Sequence, residues 1–294
     1  KIVNYEDWYD PADFDKFKLG SPLEQGFRDG FWFHTAERFF VLSQWAIREN
    51  VDRFAHAELD IAFFGIARLP KILDDIGEGI FIPRAAKDYA GGSFVYVNSL
   101  VALQDLLNFM IARTSLGHEM GILAAYLDAE RENVFSLPSH SALITNDKDE
   151  WNSGREVTPL EIGGLIDVQP MGTWLFGQDP RNTPKQPTYN QFYFEDIGSP
   201  DLRKLNYRYS WRQKAVTVRA PNGAWWPILA LHVHFKRMHL AYNPLALAIF
   251  SWLSNRRRPT IVILQRPYSY YSRVLRGKID VLYLWLRKKG LLIR

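Results

Sequence analysis

The sequence predicts an α/β fold with a mainly parallel sheet flanked by helices. Apolar residues at helical spacing run from Phe31 to Glu49, and a strand-like, largely apolar run from Arg53 to Phe64 follows. A further strand, Ser93 to Val97, precedes two helical segments, Ser99 to Arg113 and His118 to Arg131. Strands that alternate with helices in this way are typical of α/β sheets whose strands pair in parallel.

Two further strands and a loop-rich region complete this outline. Ile80 to Pro83 predicts a short strand, and Leu229 to Phe235 alternates as a strand does. Residues 132–190 are rich in Pro, Gly, Asn and Asp and predict loops around a site. A chain of 294 residues, 47% of them hydrophobic, is long enough for one large domain with an appendage.

The C-terminal part differs in character from the rest. Near residue 244 the sequence changes to apolar runs interrupted by basic clusters, so we divide it into a domain at 1–244 and an appendage at 245–294. Residues 251–294 hold eleven Lys or Arg against one acid. The apolar, Tyr and basic residues of 269–289 predict a helix on an anionic membrane surface. A basic face packed on the core is the alternative; no nucleic-acid motif is present, so no nucleic-acid partner is expected.

Composition also bounds the compartment. The chain has no cysteine, which excludes disulfides and thiolate metal sites and is compatible with a reducing cytoplasm. No run approaches the ~20 apolar residues that a membrane-spanning helix needs, and no signal peptide is visible. We therefore expect a cytoplasmic protein, with peripheral attachment to the inner face of the membrane through its tail.

The most informative stretch is the end of the predicted strand Arg53 to Phe64. His56, Glu58 and Asp60 alternate there, so on an extended strand their side chains share one face. Two carboxylates at a strand end suit a hard divalent cation that keeps other positions for water and phosphate. An edge strand whose polar side faces water is the alternative interpretation.

A pair of histidines near the end of the predicted domain offers further ligands. His232 and His234 lie two apart in the predicted strand Leu229 to Phe235, so they point the same way. Imidazole is a common metal ligand. Two half-exposed histidines on an edge strand are the alternative.

These segments resemble a family of polysaccharide-building glycosyltransferases of the GT-A type. In that family an aromatic-rich helix that carries an Arg, here Phe31 to Leu42, precedes a strand that ends in an acidic motif, here His56 to Asp60. The similarity continues through Gly92 to Asn98 and Leu231 to Lys236, and so spans residues 30–240 with gaps.

The resemblance implies a GT-A-like, Rossmann-like fold and transfer of a sugar from a nucleotide-diphosphate donor to a hydroxyl of a glycan or lipid-linked acceptor. It also implies a divalent cation, Mn²⁺ or Mg²⁺, at the two phosphates. Asp60 would bind the cation directly and His234 would complete its shell. Glu58, where the family more usually has Asp, would bind it through water or hold sugar hydroxyls in a catalytic role. His232 is assigned to the substrate, and Lys236 to a phosphate.

A transferase that inverts the sugar needs a base for the acceptor proton. Glu119, at the start of a predicted helix, is the candidate, with His118 as second choice. An acid at a helix start is also favoured by the helix dipole, so a structural role is the alternative. Arg38 on the preceding helix is assigned to a phosphate, although many such residues are merely solvated.

Further substrate contacts are predicted outside the metal site: His56, Ser93, Trp174, Asp179 and Arg181. The loop from Gly172 to Asn182 combines turn residues with a Trp that we expect to be exposed, and it would frame a sugar. Gly91 and Gly92 would let the backbone approach the donor. A plain surface loop and a plain turn are the alternatives.

Two other classes of function fit the same residues. A metal-dependent hydrolase would use the acidic motif and the two histidines. A non-catalytic carbohydrate-binding protein would use the ten Trp and fourteen Tyr of the chain to stack on sugars.

Overall fold

The computed structural model describes residues 4–23, 29–129, 131–144, 155–176, 202–233 and 238–255. Within these ranges the chain forms a mixed α/β structure with two sheets, which confirms the predicted fold class at this level. The helices are α1 Ala12–Gly20, α2 Phe31–Arg48, α3 Leu69–Ile76, α4 Leu100–Ala112, α5 Glu119–Leu127, α6 Ser141–Ile144, α7 Pro159–Ile162, α8 Pro170–Phe176, α9 Met238–Ala241 and α10 Pro244–Asn255. The strands are β1 Phe54–Ala57, β2 Ile61–Phe63, β3 Ile80–Ala86, β4 Tyr89–Ala90, β5 Phe94–Val97, β6 Val134–Leu137, β7 Arg155–Glu156, β8 Leu165–Ile166, β9 Asn206–Ser210, β10 Ala215–Arg219 and β11 Trp225–His232.

The first sheet has a parallel centre and antiparallel additions. Its strand order is β1-β5-β3-β6-β7, with β4 paired to β3. Strands β3, β6 and β7 pair in parallel, whereas β1, β4 and β5 join antiparallel. The antiparallel pairs arise because β3, β4 and β5 follow one another through short turns, while β6 returns only after α4 and α5. The parallel sheet expected from the sequence is thus found in this centre, and the sheet as a whole is mixed.

The second sheet has the order β2-β11-β10-β9, with β8 beside β11. Strands β9, β10 and β11 form an antiparallel meander, β2 pairs antiparallel with β11, and β8 pairs with β11 in parallel. Because β2 follows β1 after three residues, the chain passes from the first sheet to the second at residues 58–60.

The path of the chain between the two sheets corrects the prediction of one strand from Arg53 to Phe64. The segment from Arg53 to Phe64 is not a single extended strand but two strands in different sheets, joined by a turn at Glu58, Leu59 and Asp60. Both halves have strand-forming, apolar residues, so the sequence carries no sign of the break. Residues 132–190 likewise hold short strands and helices and not only loops. Most of these elements have two to four residues, which is too short to show a period in the sequence.

The long helix α2 confirms the prediction for this segment. Its buried side chains recur at three- and four-residue intervals, for example at Phe33, Ala36 and Phe40. The helix ends at Arg48, and Asn50 follows with a φ of 55°, a left-handed conformation that Asn tolerates. The predicted helices after Ser99 and His118 are α4 and α5, with ends within a few residues of those expected.

The core is layered around the first sheet. Ile80 and Ile82 point to a buried cluster with α1, α2, α4 and α5, and Phe81 points to the opposite side, as strand alternation requires. There it joins a cluster with Leu73 of α3 and Leu229 of β11. The two sheets therefore share one apolar layer, and the residues that connect them lie at its edge.

Helix α10 packs against the second sheet. Leu247 lies in a buried cluster with Val216 of β10, and the Asn255 side chain hydrogen bonds both the N–H and the carbonyl of Tyr207, at 2.7 Å each. The first residues of the predicted appendage are thus part of the packed structure, whereas the tail at 256–294 lies outside the described residues. Among the helices that the structure describes, none is long and apolar enough to cross a membrane.

Close packing of α8 on β11 requires glycine at position 172. A Cβ atom there would stand 1.7 Å from the carbonyl oxygen of His232. We expect Gly172→Ala to push α8 away from the sheet and to lower the free energy of unfolding by about 1–3 kcal/mol, as urea denaturation measures. The matched control is Gly121→Ala in α5, where the nearest atoms stand at 3.6 Å. Equal stabilities of the two variants would contradict this packing.

Candidate functional site

The turn between the two sheets presents two acids inward. The N–H of Glu58 donates to the carbonyl of Ser93 at 2.9 Å, and the N–H of Ile61 donates to the carbonyl of Glu58 at 3.2 Å, which closes the turn. Leu59 is 100% exposed. The side chains of Glu58 and Asp60 are only 28% and 35% exposed, so they face the protein on one side and solvent on the other.

The end of β11 brings His232 to these acids. The N–H of Val233 donates to the carbonyl of Asp60 at 2.7 Å, which joins the turn to this strand end. His232 Nε2 lies 3.3 Å from an oxygen of Glu58 and 3.3 Å from an oxygen of Asp60. One ligand atom from each of the three residues falls within 4.8 Å of the others.

The other ring nitrogen fixes the protonation state of His232. Nδ1 lies 2.6 Å from the carbonyl oxygen of Val168, which can only accept, so Nδ1 carries a proton. Nε2 then faces the two carboxylates, and it needs either a second proton or a bound cation between them. A backbone carbonyl that orients the far nitrogen is the usual support of a metal-binding histidine.

The surroundings favour the charged imidazole when no cation is bound. Burial by itself would lower the pKa of His232, but its hydrogen bond with Asp60 and the charges of Glu58 and Asp60 outweigh burial and raise the pKa to about 9. The nitrogen that faces the acids is therefore protonated at neutral pH in the absence of metal.

The three side chains fit a divalent metal. Two carboxylates and one imidazole form a mixed oxygen and nitrogen donor set that suits Mn²⁺ and related ions. Three protein ligands leave positions for water or phosphate oxygens, and these positions would lie on the exposed side of the acids. The predicted ligands Glu58 and Asp60 are brought together, and His232 joins them; His234 lies outside the described residues.

Arg38 of α2 holds Glu58 from the other side. Its guanidinium donates to one oxygen of Glu58 and, at 3.0 Å, to Glu119. Arg38 is 15% exposed, so it is not a solvated helix-face residue. Because Arg38 takes Oε1 of Glu58 and His232 lies at Oε2, the carboxylate is fixed with one oxygen on each side. Arg38 offsets part of the negative charge of Glu58 and Glu119, and the charge of Asp60 remains for a cation to balance.

The proposed base Glu119 lies behind Arg38. Its two carboxylate oxygens accept hydrogen bonds from Arg38 and, at 2.9 Å, from the hydroxyl of Thr35. Glu119 is 3% exposed. Burial raises the pKa of Glu119, and Arg38 and Thr35 oppose that rise. His118, the second choice, accepts a hydrogen bond from the N–H of Gly121 and so caps α5.

His56 is separated from the three clustered residues. Its ring lies 6.5 Å from that of Phe39, between β1 and α2, and it is not among the residues whose ligand atoms converge. Burial and the charge of Arg38 lower the pKa of His56 to about 4, so its ring is neutral. The expected sharing of one face by His56 and the two acids is lost because the strand turns at Glu58.

Asp167 supports the site and was missed in the sequence. It is fully buried, and it accepts hydrogen bonds from the N–H groups of Met171 and Gly172 in α8 and of His232. Burial raises the pKa of Asp167 to about 6, although His232 and these N–H groups favour the charged form. The ordinary N-cap signal stands directly before the first helical residue, whereas Asp167 lies three residues before Pro170, so no local signal marked it.

Ser93 and the two glycines before it serve internal packing. Ser93 is 4% exposed, and its hydroxyl donates at 3.2 Å to the carbonyl of Val168, the same acceptor that His232 uses. A Cβ on Gly91 would stand 2.1 Å from Val168, and one on Gly92 would stand 2.6 Å from Arg38. These glycines therefore let the chain approach Val168 and Arg38, the two groups that orient the site.

The expectation of an exposed Trp174 is wrong. Trp174 is 2% exposed and lies in the buried cluster between α8 and the second sheet. The segment begins as a helix and not as a loop, and its apolar side faces β11. The other predicted substrate contacts, Asp179, Arg181 and Lys236, lie outside the described residues.

Comparison with known proteins adds no assignment. The chain matches no protein-family model, no curated protein and no solved structure. The function has to be argued from the geometry at Glu58, Asp60 and His232.

Metal binding at this site is expected to release close to one proton per ion at pH 7. A pKa of His232 near 9 means that Nε2 is protonated before Mn²⁺ arrives and must lose that proton to bind it. Isothermal titration calorimetry in two buffers of different ionisation enthalpy measures the released protons. Binding without proton release, or equal binding by His232→Gln, would contradict the assignment of this nitrogen.

Without metal, His232 also makes stability depend on pH. Its pKa is raised above the ordinary 6.5, so its stabilising contribution is fully present below about pH 6.5 and is lost as the pH rises through about 9. Urea denaturation of wild type and His232→Gln in chelator checks this, because the variant should lack the loss over that interval. If the wild type instead gained stability relative to the variant between these two pH values, the prediction would be contradicted.

Proposed function

We propose that this chain is a divalent-metal-dependent glycosyltransferase of the GT-A type. It would move a sugar from a nucleotide-diphosphate donor to a hydroxyl of a glycan or a lipid-linked acceptor. The observation that carries the proposal is the convergence of Glu58, Asp60 and His232, three side chains that could hold a metal ion at the turn between two sheets. The resemblance of His56 to Asp60 and of Leu231 to Lys236 to family motifs selects sugar transfer among metal-dependent reactions.

Some residues would bind the ion, and others orient the side chains that bind it. Asp60, Oε2 of Glu58 and Nε2 of His232 would hold the ion, which when bound would offset the charge that builds on the departing diphosphate. Arg38 fixes the other oxygen of Glu58, so this carboxylate keeps one orientation without the ion. The Val168 carbonyl keeps Nε2 of His232 turned toward the acids. Such preorganisation avoids reorganisation of the site during the reaction.

The site opens toward solvent on the side where a donor would arrive. His232 is 7% exposed in its side chain, whereas Glu58 and Asp60 retain about a third of theirs. A diphosphate could therefore add its oxygens to the ion from the acid side without displacing the protein ligands. This favours the nucleotide-sugar donor over a purely structural metal, whose protein ligands usually close the coordination shell.

Asp60→Asn is expected to remove metal-dependent donor binding. Wild type should gain about 2.7 kcal/mol of stability at a donor concentration near 100 times Kd with Mn²⁺, seen as a thermal shift that chelator abolishes. The variant should lose this shift and at least about 10² in transfer rate, because it lacks one ligand charge. Asp52→Asn, at a carboxylate that is 82% exposed, is the matched control and should behave as wild type.

The products of the same incubation separate the proposal from its rivals. UDP- and GDP-sugars with Mn²⁺ are supplied with and without glycan acceptors, and the products are identified by mass spectrometry. A glycosidic product that requires acceptor is expected. Release of free sugar at the same rate in both arms would assign a hydrolase, and glycan binding that ignores chelator without turnover would assign a carbohydrate-binding protein.

The role of Glu119 as base stays a prediction that one substitution tests. Since both of its oxygens accept hydrogen bonds from Arg38 and Thr35, Glu119→Gln is expected to keep most of this arrangement and to lower the transfer rate less than about tenfold. A loss of about 10²–10⁴ with unchanged donor binding would instead assign the base to Glu119. Glu78→Gln, on the turn before β3, is the matched control.

A further inference from the structure

A second surface lies at the outer edge of the second sheet, away from the acidic turn in the fold. We name it the hairpin–helix surface: the β9–β10 turn, Trp211, Arg212, Gln213 and Lys214, together with Trp252 of α10. All four turn residues are exposed. Trp211 is 65% exposed and Trp252 is 52% exposed. Because both side chains are more than half exposed, they contribute little to the buried core.

This surface is built on a fixed frame. The ring of Trp211 makes an edge contact with that of Tyr209, at 5.0 Å between centroids, and Tyr209 packs on the buried cluster of the second sheet. Asn255 hydrogen bonds the backbone of Tyr207, which ties the end of α10 to the free edge of β9. Trp211 and Trp252 therefore both lie next to β9. Trp211 directly follows the last residue of this strand, and Trp252 lies three residues before Asn255, which binds the strand.

The charge along the sequence on both sides of the two tryptophans has one sign. The sequence has no Asp or Glu from Leu202 to Ile279, so no carboxylate interrupts β9, β10, β11 or α10. Arg208, Arg212 and Lys214 lie on the hairpin. The rest of the described chain mixes acids and bases closely, as in α1, where Lys16 pairs with Asp13. A cationic surface with exposed Trp complements an anionic partner that has an apolar interior.

We infer that the hairpin–helix surface docks the protein on an anionic lipid bilayer. Trp side chains settle at the level of lipid headgroups, where the ring is in an apolar layer and its N–H in a wet one. Arg212 and Lys214 flank Trp211 and would meet the phosphates of acidic lipids. A nucleic acid would be expected to use a basic groove with stacked aromatics, whereas Trp211 lies in the exposed turn between β9 and β10.

The β9–β10 turn and α10 would bind the lipid surface directly. This docking does not depend on the proposed sugar transfer. It predicts that full-length protein binds vesicles with one third phosphatidylglycerol better than vesicles of phosphatidylcholine alone, and that binding weakens as salt rises. Co-sedimentation with vesicles at several lipid concentrations measures the partition coefficient. Equal binding to both kinds of vesicle, or to neither, overturns the inference.

Substitutions locate the surface. Arg212→Glu with Lys214→Asp should weaken partition to anionic vesicles at least about thirty-fold, because each basic residue at the surface contributes about fivefold. Asp is chosen at 214 because Lys214 has a φ of 52°, which Asp tolerates. The matched control, Lys71→Glu with Lys87→Glu, changes total charge equally at exposed sites of the first sheet region. Equal losses in the two double variants would reduce the effect to net charge and overturn the inference.

A probe at the turn tip tests insertion directly. Since the chain has no cysteine, Gln213→Cys gives a unique attachment point for an environment-sensitive fluorophore, and Lys87→Cys gives a control point. Anionic vesicles should shift the emission of the label at 213 to shorter wavelength and leave the label at 87 unchanged. Trp211→Ala should weaken partition about tenfold, and Leu160→Ala, at a residue 79% exposed elsewhere, should not.

The remaining outcomes also decide the question. If the label at 213 does not respond although the protein sediments with vesicles, another part of the chain binds the lipid, and the inference fails. If a single-stranded RNA competes fully with vesicles and binds more tightly at the same salt, with loss on Arg212→Glu and Lys214→Asp, the surface serves nucleic acid instead. Melting curves of each variant, monitored by circular dichroism, confirm that the hairpin variants are folded.

Discussion

The hydrogen bond between His232 Nδ1 and the carbonyl of Val168 determines the chemistry of the acidic turn. It forces the other nitrogen toward Glu58 and Asp60, where only a proton or a cation can satisfy three groups at once. Without this hydrogen bond the imidazole ring could rotate, and Nε2 would no longer be held toward the two carboxylates. Its position depends on the parallel pairing of β8 with β11, which sets Val168 next to His232.

Several buried residues hold the surroundings of that bond in place. Asp167 binds the N–H of His232 and the start of α8, so strand and helix keep a fixed distance. Gly91 and Gly172 allow the close approaches that a Cβ would prevent. On the opposite side, Arg38 fixes Glu58 and is itself fixed by Glu119. The three clustered side chains are thus few and at most partly exposed, and the residues that position them are more numerous and largely buried.

The sequence predicted those features that short-range patterns of residues encode. Helix α2 is long and periodic, so its bounds followed from the spacing of apolar residues, and the acids at 58 and 60 were marked by their chemistry. That His232 meets them was not predictable in the same way, because His232 and His234 alternate along one predicted strand. The position of His232 beside the acids depends on the register in which it faces Ile61, a property of residues far apart in sequence.

The burial of Trp174 and the break after Ala57 were missed for related reasons. The sequence Gly172-Thr173-Trp174 has turn-like residues, yet contacts with the second sheet impose a helix on it. The residues on both sides of the acidic turn favour extended structure, so only the pairing of each half with a different sheet reveals the bend. In both cases tertiary contacts override local preference.

Strand β2 has three residues, and its partner β11 lies near the end of the described chain. During synthesis, Glu58 and Asp60 therefore leave the ribosome long before the strand that completes their surroundings. A nascent or prematurely terminated chain would carry the acids on a loose connection and would lack the imidazole. The cluster of Glu58, Asp60 and His232 would therefore form only when the last strand of the second sheet is in place.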